Sequence, residues 1–437
     1  MLQIYNTMTQ AKEIFCPIDE GKVRIYVCGL TVYDYTHLGH ARMLVAFDVI
    51  VRYLRAKGLD VTYVRNITDI DDKILNRAVE NNELFSDLTE RFIESMHEDE
   101  KSLNVLPPDQ EPRATGHIDQ IISMIEVLLK KEFAYRADNG DVYFSIQRFP
   151  DYGKLSKKKM DELLEGARIE VGELKIDPRD FVLWESSPDD GVGWDSPWGF
   201  GRPGWHLECS AMSEKTLGLP FDIHSGGMDL VFPHHENEIA QTCSLNKTHE
   251  PKSFARFWFH NGFVNVEGEK MSKSIGNIRL VHDLKKQFSG EVLRLTLLSA
   301  HYRQPLNWTK EIIDQNSKML DRFYRTLKDL QSVEVSSDSL SDEIMESLLD
   351  DLNTPKVLAQ LNTLSNKLSS ANNDEKVIIK NNLIAAGRIL GIMLEDPDLW
   401  LGYNQSLNPQ KEEIEGLINQ RNEARRDKDF KLADEIR

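Results

Sequence analysis

The stretch Gly21-Lys22-Val23-Arg24-Ile25-Tyr26-Val27, followed by Cys28-Gly29, decides the fold. β-branched and aromatic residues alternate with polar ones, the period-two signature of a strand, and the glycine marks its end. Residues 41–57 then carry apolar side chains around most of a helical circumference, which predicts a buried helix with Gly58 as its C-terminal cap. A second strand is expected at Val61-Thr62-Tyr63-Val64-Arg65. Strand, helix and strand in so short a span form a βαβ unit, which requires parallel strands. Helical periodicity resumes over residues 71–103, with Thr68 or Asp69 expected as N-cap.

Further out, Pro107-Pro108 and Pro112 punctuate the chain. Residues 114–202 have a different texture: a helix near 117–131, short strands around 141–144, and a Gly/Pro/Trp-rich run at 194–204. They read as an insertion between the halves of a nucleotide-binding domain. Strand signals return at Phe221-Asp222-Ile223-His224 and over 254–266, flanking a helix that starts near Pro233. Beyond Asp283 the pattern is almost entirely helical, with a polar linker at 332–341 and a break at Pro397. The expected class is α/β: a Rossmann-like, doubly wound parallel sheet with an insertion, then a C-terminal all-α helical bundle. The expected divisions are 1–113 and 204–266 for the two halves of the catalytic domain, 114–203 for the insertion and 267–311 for a signature-loop region. Residues 312–400 form the bundle, and 401–437 a C-terminal element.

Composition excludes several classes. The 437 residues are 40% hydrophobic and 28% charged, ordinary for a globular chain. Apolar runs such as residues 43–51 are broken by Asp48 and Arg52, so no transmembrane helix is expected. Met1-Leu2-Gln3-Ile4-Tyr5-Asn6 has no basic region leading into an apolar core, and four cysteines are too few for a disulfide scaffold. A reduced, cytoplasmic protein is expected. A net charge of −18 argues against indiscriminate polyanion binding, so any nucleic-acid contact has to use local basic clusters.

Two short segments carry the chemistry. In His37-Leu38-Gly39-His40, a strand turns into a helix whose free N–H groups and positive dipole end face an anion. The small Gly39 admits close approach of a ligand, and the two imidazoles can donate to phosphate oxygens as charge builds. In Lys270-Met271-Ser272-Lys273-Ser274, two ammonium groups sit on an expected loop flanked by Gly268 and Gly276, which could serve as hinges for closure over a triphosphate. Either segment alone is weak; both, in this order, are strong. A third constellation could hold a metal. His234 and Glu238 are spaced i, i+4 on one helix face, Cys28 lies at the carboxyl end of the first strand, and Cys209 follows Gly204-Trp205-His206-Leu207-Glu208. By sequence, His235 could replace His234. Cys16 and Cys243 have no such company and read as ordinary thiols.

The first two segments resemble the paired signatures of class I aminoacyl-tRNA synthetases, with Leu38 in the place usually taken by Ile. Four longer segments sharpen the resemblance to the cysteinyl-tRNA synthetase family. They are residues 26–34, 66–74, 204–210 and 226–238, the last reading Gly226-Gly227-Met228-Asp229-Leu230-Val231-Phe232-Pro233-His234-His235-Glu236-Asn237-Glu238. The resemblance implies one Zn²⁺ on Cys28, Cys209, His234 and Glu238 that reads the substrate thiol, and a cysteine pocket bordered by Gly29, Thr31, Thr68, Trp205 and Asp229, the last pairing with the α-ammonium. It implies ATP handled by His37, Gly39, His40, Lys270 and Lys273, with Mg²⁺, and formation of cysteinyl-adenylate before transfer to tRNA by a monomer with no membrane partner. Serine and cysteine differ only in oxygen for sulfur, so a thiophilic metal separates them where shape cannot, and no editing site is needed. Arg421, Arg425, Arg426, Lys428 and Lys431 would lie in the anticodon-side element. The rivals are a cysteine ligase of mycothiol synthesis, with the same zinc and ATP motifs, and a non-catalytic tRNA- or nucleotide-binding paralogue. Intact His37, His40, Lys270 and Lys273 speak against the latter.

Overall fold

The computed structural model describes residues 1–158, 174–188, 191–246, 248, 250–335, 339–402, 410–426 and 429–435. Parts of the expected insertion, of the 332–341 linker and of the C-terminal element, Lys428 included, lie outside the described residues.

A short hairpin, β1 (Gln3–Asn6) and β2 (Ala11–Ile14), precedes the decisive strand β3 (Lys22–Thr31). The strand does not stop at Gly29. Its pairing with β4 (Asp60–Thr68) shifts register between Val27 and Leu30, and the strand continues through that irregularity to Thr31. Glycine is required there because a Cβ on Gly29 would sit 1.7 Å from the Asn66 carbonyl oxygen. Between the strands runs α1 (Leu38–Ala56), which starts three residues earlier than periodicity suggests because His37 caps it, accepting from the His40 N–H. Gly58, at φ +79°, terminates it as expected.

The helical stretch after β4 is two helices, α2 (Asp72–Asn81) and α3 (Phe85–Ser102), parted by Asn82 in the left-handed region at φ 53°. The cap of α2 is Asp71, which accepts from the Lys73 N–H at 2.8 Å. Thr68 and Asp69, the expected caps, are used elsewhere: Thr68 ends β4, and Asp69 accepts from the Thr115 backbone and hydroxyl. The insertion supplies α4 (Ile118–Lys130) and an antiparallel sheet of β5 (Ala134–Arg136), β6 (Val142–Phe144), β7 (Phe181–Ser186) and β8 (Gly201–Pro203).

The chain then returns through α5 (Trp205–Leu217), β9 (Phe221–Gly227), α6 (Glu236–Leu245) and β10 (Ala255–Asn261). The central sheet has the order β10-β9-β3-β4, with every pairing parallel. Alternating residues of β3 explain why it is buried on both faces. Val23, Ile25 and Val27 join the core on the α1 side, whereas Tyr26 and Cys28 join the core shared with α4, α5 and α6. The strand signals over 254–266 resolve into two strands that part at Gly262; β11 (Val264–Val266) belongs to a separate sheet with β12 (Glu269–Lys270) and a later strand, β13 (Leu306–Trp308).

Two helices, α7 (Val281–Leu284) and α8 (Gly290–Leu298), lead to β13. The bundle follows: α9 (Lys310–Asp329), α10 (Asp342–Leu349), α11 (Thr354–Lys367), α12 (Asn373–Leu390) and α13 (Pro397–Trp400), then α14 (Gln410–Arg426) and α15 (Phe430–Glu435). One apolar core runs without interruption from Ile25 and Leu44 through Leu295 to Leu320, Leu361 and Leu390. Two buried charges of α8 seal the junction. Arg294 bonds Asp48 of α1 and the carbonyls of Leu103 (2.9 Å) and Leu390 (2.5 Å), and Glu291 accepts from the Tyr324 hydroxyl and the Met393 and Leu394 N–H groups. Fully partnered buried charges of this kind are costly to break on one side. Among the described residues no helix is long and apolar enough to cross a membrane.

Candidate active site and metal centre

The metal-binding and phosphate-binding candidates meet at the carboxyl ends of β3 and β9, where open α/β sheets bind ligands. The register shift in β3 places Cys28 in the core facing α5, whose Cys209 brings a second thiol to within 3.6 Å. Phe232 is extended (φ −142°, ψ 131°), so helical geometry begins only at Pro233 and carries through into α6. His234 and Glu238 are therefore one turn apart on the same face, with Nε2 and Oε1 at 3.2 Å. Cys28 Sγ lies 3.7 Å from His234 Nε2 and 3.6 Å from Glu238 Oε1. Metal–ligand distances of about 2.0–2.3 Å give tetrahedral edges of about 3.3–3.8 Å, so the spacing of these donors fits a zinc-sized ion. All four are buried.

A second grouping, Cys28, His224, His235 and Glu238, shares two of these residues. It fits less well. His224 Nε2 sits at hydrogen-bond distance, 2.8 Å, from the other Glu238 oxygen, and His235 is 3.9 Å from Oε1 while its Nδ1 engages His260 at 2.7 Å. His224 is better placed as a support that orients the Glu238 carboxylate. His206 does the same for His234 across a 2.9 Å Nδ1–Nδ1 contact, which leaves His234 Nε2 turned toward the thiols. Burial holds His234 well below the usual imidazole value, so the ring is neutral, as a ligand must be. Burial also raises the Cys28 thiol, with Cys209 and Glu238 adding to the effect; a dication among them would reverse that preference by favouring thiolate. Cys16 is exposed and Cys243 buried, and both are free thiols.

Cys28 also faces a cleft of about 500 Å³, where it meets Gly29, Thr31, Trp205 and Asp229 from the expected cysteine pocket and His37, Gly39, His40, Lys270 and Lys273 from the expected ATP site. Trp205 is 38% exposed, unusual for a tryptophan that a core would claim. Thr68 does not line this cleft; it is buried, opposite Thr31 in the sheet, and donates to Glu208 at 3.3 Å. His37 and His40 stack with ring centroids 3.5 Å apart. Burial pulls His37 down to about 4 and His40 well below its ordinary value, so both rings are neutral at pH 7. Because His37 Nδ1 accepts the His40 N–H, its own proton sits on Nε2, the donor left for a ligand.

Lys270 is not on a loop but in β12, paired with Asn265, and its ammonium lies 4.4 Å from the Phe263 ring centroid. Lys273 lies on the turn beyond, 4.4 Å from the Tyr33 centroid and 3.3 Å from Asp34. Burial opposes its charge, but Tyr33 and Asp34 outweigh that and raise it. Gly268 and Gly276 both have positive φ, +85° and +71°. Sequence reasoning missed Tyr33, Asp34, Lys73, Asn261 and the supporting His206, His224 and His260. The usable signal was polarity inside apolar strands: His224 and His260 interrupt buried β9 and β10.

Comparison with known proteins identifies the family. The family model for the tRNA synthetases class I (C) catalytic domain matches residues 14–318. "Cysteine--tRNA ligase" of Coxiella burnetii is 50% identical over 442 residues, spanning 100% of this chain and 95% of that protein. The "Cysteine--tRNA ligase" of Marinobacter nauticus is 48% identical over 447 residues with the same coverage. Among solved structures, Mycobacterium tuberculosis methionyl-tRNA synthetase in complex with methionyl-adenylate superposes with a TM-score of 0.62 at 16% identity, over 87% of this chain and 93% of that one. The Agrobacterium radiobacter K84 agnB2 LeuRS ternary complex gives 0.63 at 12% identity, over 89% and 86%. These two likenesses speak to fold. The family model and the full-length relatives place the chain in the cysteine–tRNA ligase family of class I tRNA synthetases.

Proposed function

We propose that the chain activates L-cysteine with ATP and transfers the cysteinyl group to the terminal ribose of tRNA-Cys, acting as a monomer in the cytoplasm. The observation that carries this reading is that a buried Cys28/Cys209/His234/Glu238 cluster opens through Cys28 onto the cleft lined by the two histidines and two lysines of the signature segments. A thiol-selective centre beside a phosphate site suits cysteine activation. Zinc, when bound by these four residues, supplies preference for a thiol over a hydroxyl. Asp229 would hold the α-ammonium, and Gly29, Thr31 and Trp205 would border the side chain; Thr68 would act from behind by positioning the end of β4.

In the first half-reaction the cysteine carboxylate oxygen forms a bond to the ATP α-phosphorus, and the bond to the bridging oxygen breaks, its electron pair leaving with pyrophosphate. His37 and His40 donate N–H bonds to phosphate oxygens, and Lys270 and Lys273 offset the growing charge, with Mg²⁺ accompanying ATP. No covalent nucleophile from the protein is required. In the second half-reaction the ribose hydroxyl attacks the acyl carbon and AMP leaves. Residues 312–400 and the basic face of 401–437, with Arg421, Arg425, Arg426, Lys428 and Lys431, would receive the tRNA.

Cysteine-dependent ATP–pyrophosphate exchange, followed by charging of tRNA-Cys and zinc analysis of the purified protein, tests the proposal. Exchange without serine activation, with one zinc per chain, is expected. Absence of exchange, or transfer to an amino sugar in place of tRNA, would overturn it.

A further inference from the structure

Lys73 stands out among the cleft residues because neither signature segment contains it. It lies in the first turn of α2, where its backbone N–H is taken by the Asp71 cap and its side chain is left exposed and free to extend. Its ammonium is 5.6 Å from the Tyr33 ring centroid, and the ammonium of Lys273 is 4.4 Å from the same ring. Tyr33 thus carries two lysines that lie two hundred residues apart in the chain.

Charge pairing separates Lys73 from its neighbours. The nearby carboxylates are engaged: Asp72 with Arg202 at 2.8 Å, Asp71 as the helix cap, and Asp34 with Lys273. Among the described residues no carboxylate forms an ion pair with Lys73 or Lys270, although both line a cleft in an otherwise acidic chain. A lysine used only for solubility has no reason to enter a concave site shared with two neutral histidines. Its field reaches them. Burial, then His37, Lys273 and Lys73, keep His40 well below its ordinary value. An unpaired ammonium there needs an anion, and the reaction generates one: as the bond to the α-phosphorus breaks, negative charge accumulates on departing pyrophosphate.

We propose that Lys73 is a third cation of the pyrophosphate site, closing with Lys270 and Lys273 on the β- and γ-phosphates of ATP and on the pyrophosphate that leaves. Tyr33 serves as the shared aromatic surface that keeps Lys73 and Lys273 from dispersing before the polyanion arrives. The inference rests on the cysteine-activation reading. Lysine, a flexible point charge, suits a group whose charge shifts during reaction.

The test uses the intact chain and the variants Lys73→Ala and Lys73→Gln. Wild-type protein must first show cysteine-dependent exchange; if it does not, the functional reading fails independently of Lys73. With exchange established, both variants should raise the KM for pyrophosphate by about tenfold or more, with cysteine KM and zinc content unchanged. Single-turnover transfer from preformed cysteinyl-adenylate to tRNA should proceed at the wild-type rate. An unchanged pyrophosphate KM in either folded variant overturns the proposal. So does slowed transfer to tRNA with normal exchange, which would assign Lys73 to the nucleic acid.

Discussion

The metal-donor cluster, which reaches the cleft through Cys28, and the Lys270–Lys273 segment that lines it are built in opposite ways. The cluster draws its four donors from β3, α5 and the approach to α6, buries all of them, and surrounds them with hydrogen-bonded histidines. Beyond Lys270 the segment is irregular turn; the Lys273 side chain is 58% exposed and held by one carboxylate and one aromatic ring. Selectivity between a thiol and a hydroxyl needs fixed geometry, because a ligand set that relaxes would accept either. Stabilising a transient charge needs groups that arrive with it and leave with the product. Buried, well-supported donors and exposed, lightly held cations therefore stand at two edges of one cleft.

The largest effect should come from breaking the rigid side. Cys209→Ser should strip zinc from the purified protein and lower cysteine activation by at least about a hundredfold, with ATP binding retained; removing even a supporting residue of a metal site costs about 10–100-fold. Full zinc occupancy in that variant, by elemental analysis, would show that Cys209 is not a ligand. On the exposed side, Lys273→Ala should slow adenylate formation on the order of a hundredfold while cysteine affinity stays close to wild type, the pattern of a contact made in the transition state. Near-normal exchange would erase the contrast.

A subtler change sharpens it. His224→Ala keeps the four donors but loses the bond to Glu238, and should weaken zinc affinity by about tenfold in a chelator competition. Acid offers another probe. His37 is held near 4 and His260 near 3 by burial, whereas unfolded histidine titrates near 6.5. The unfolded chain then binds more protons between pH 6.5 and 4, so stability should be greatest above 6.5 and fall as pH drops through that window. A denaturant midpoint that stays level from pH 7 to 4 would contradict it. The smallest effect belongs to the tail. The described parts of α14 and α15 pack chiefly on each other, so removing residues 403–437 should leave exchange within about twofold, as for distant independent sites, while charging weakens. A cut at 312 is a poorer experiment, because it would strip Leu320, Tyr324, Leu361 and Leu390 from the shared core and take the Leu390 carbonyl away from Arg294.

Local periodicity made much of the molecule legible. The alternation in Lys22–Thr31, the apolar circumference of Leu38–Ala56 and the i, i+4 pair His234/Glu238 depend on neighbours within a few residues, so the sequence determined a βαβ unit, a helical C-terminal third and one face of a donor set. Short-range competition blurred the boundaries: Asn82 in the left-handed region split one periodic stretch, and Asp71 outcompeted Thr68 and Asp69 as a cap because those two were taken by Glu208 and Thr115. Only the tertiary structure decided the sheet order β10-β9-β3-β4, the preference for His234 over His235, the absence of Thr68 from the cleft and the arrival of Lys73 beside Lys273. Each of these depends on backbone paths that converge from far apart in the chain. Their distances are set by packing around the β3 irregularity and the common core, which no local pattern encodes.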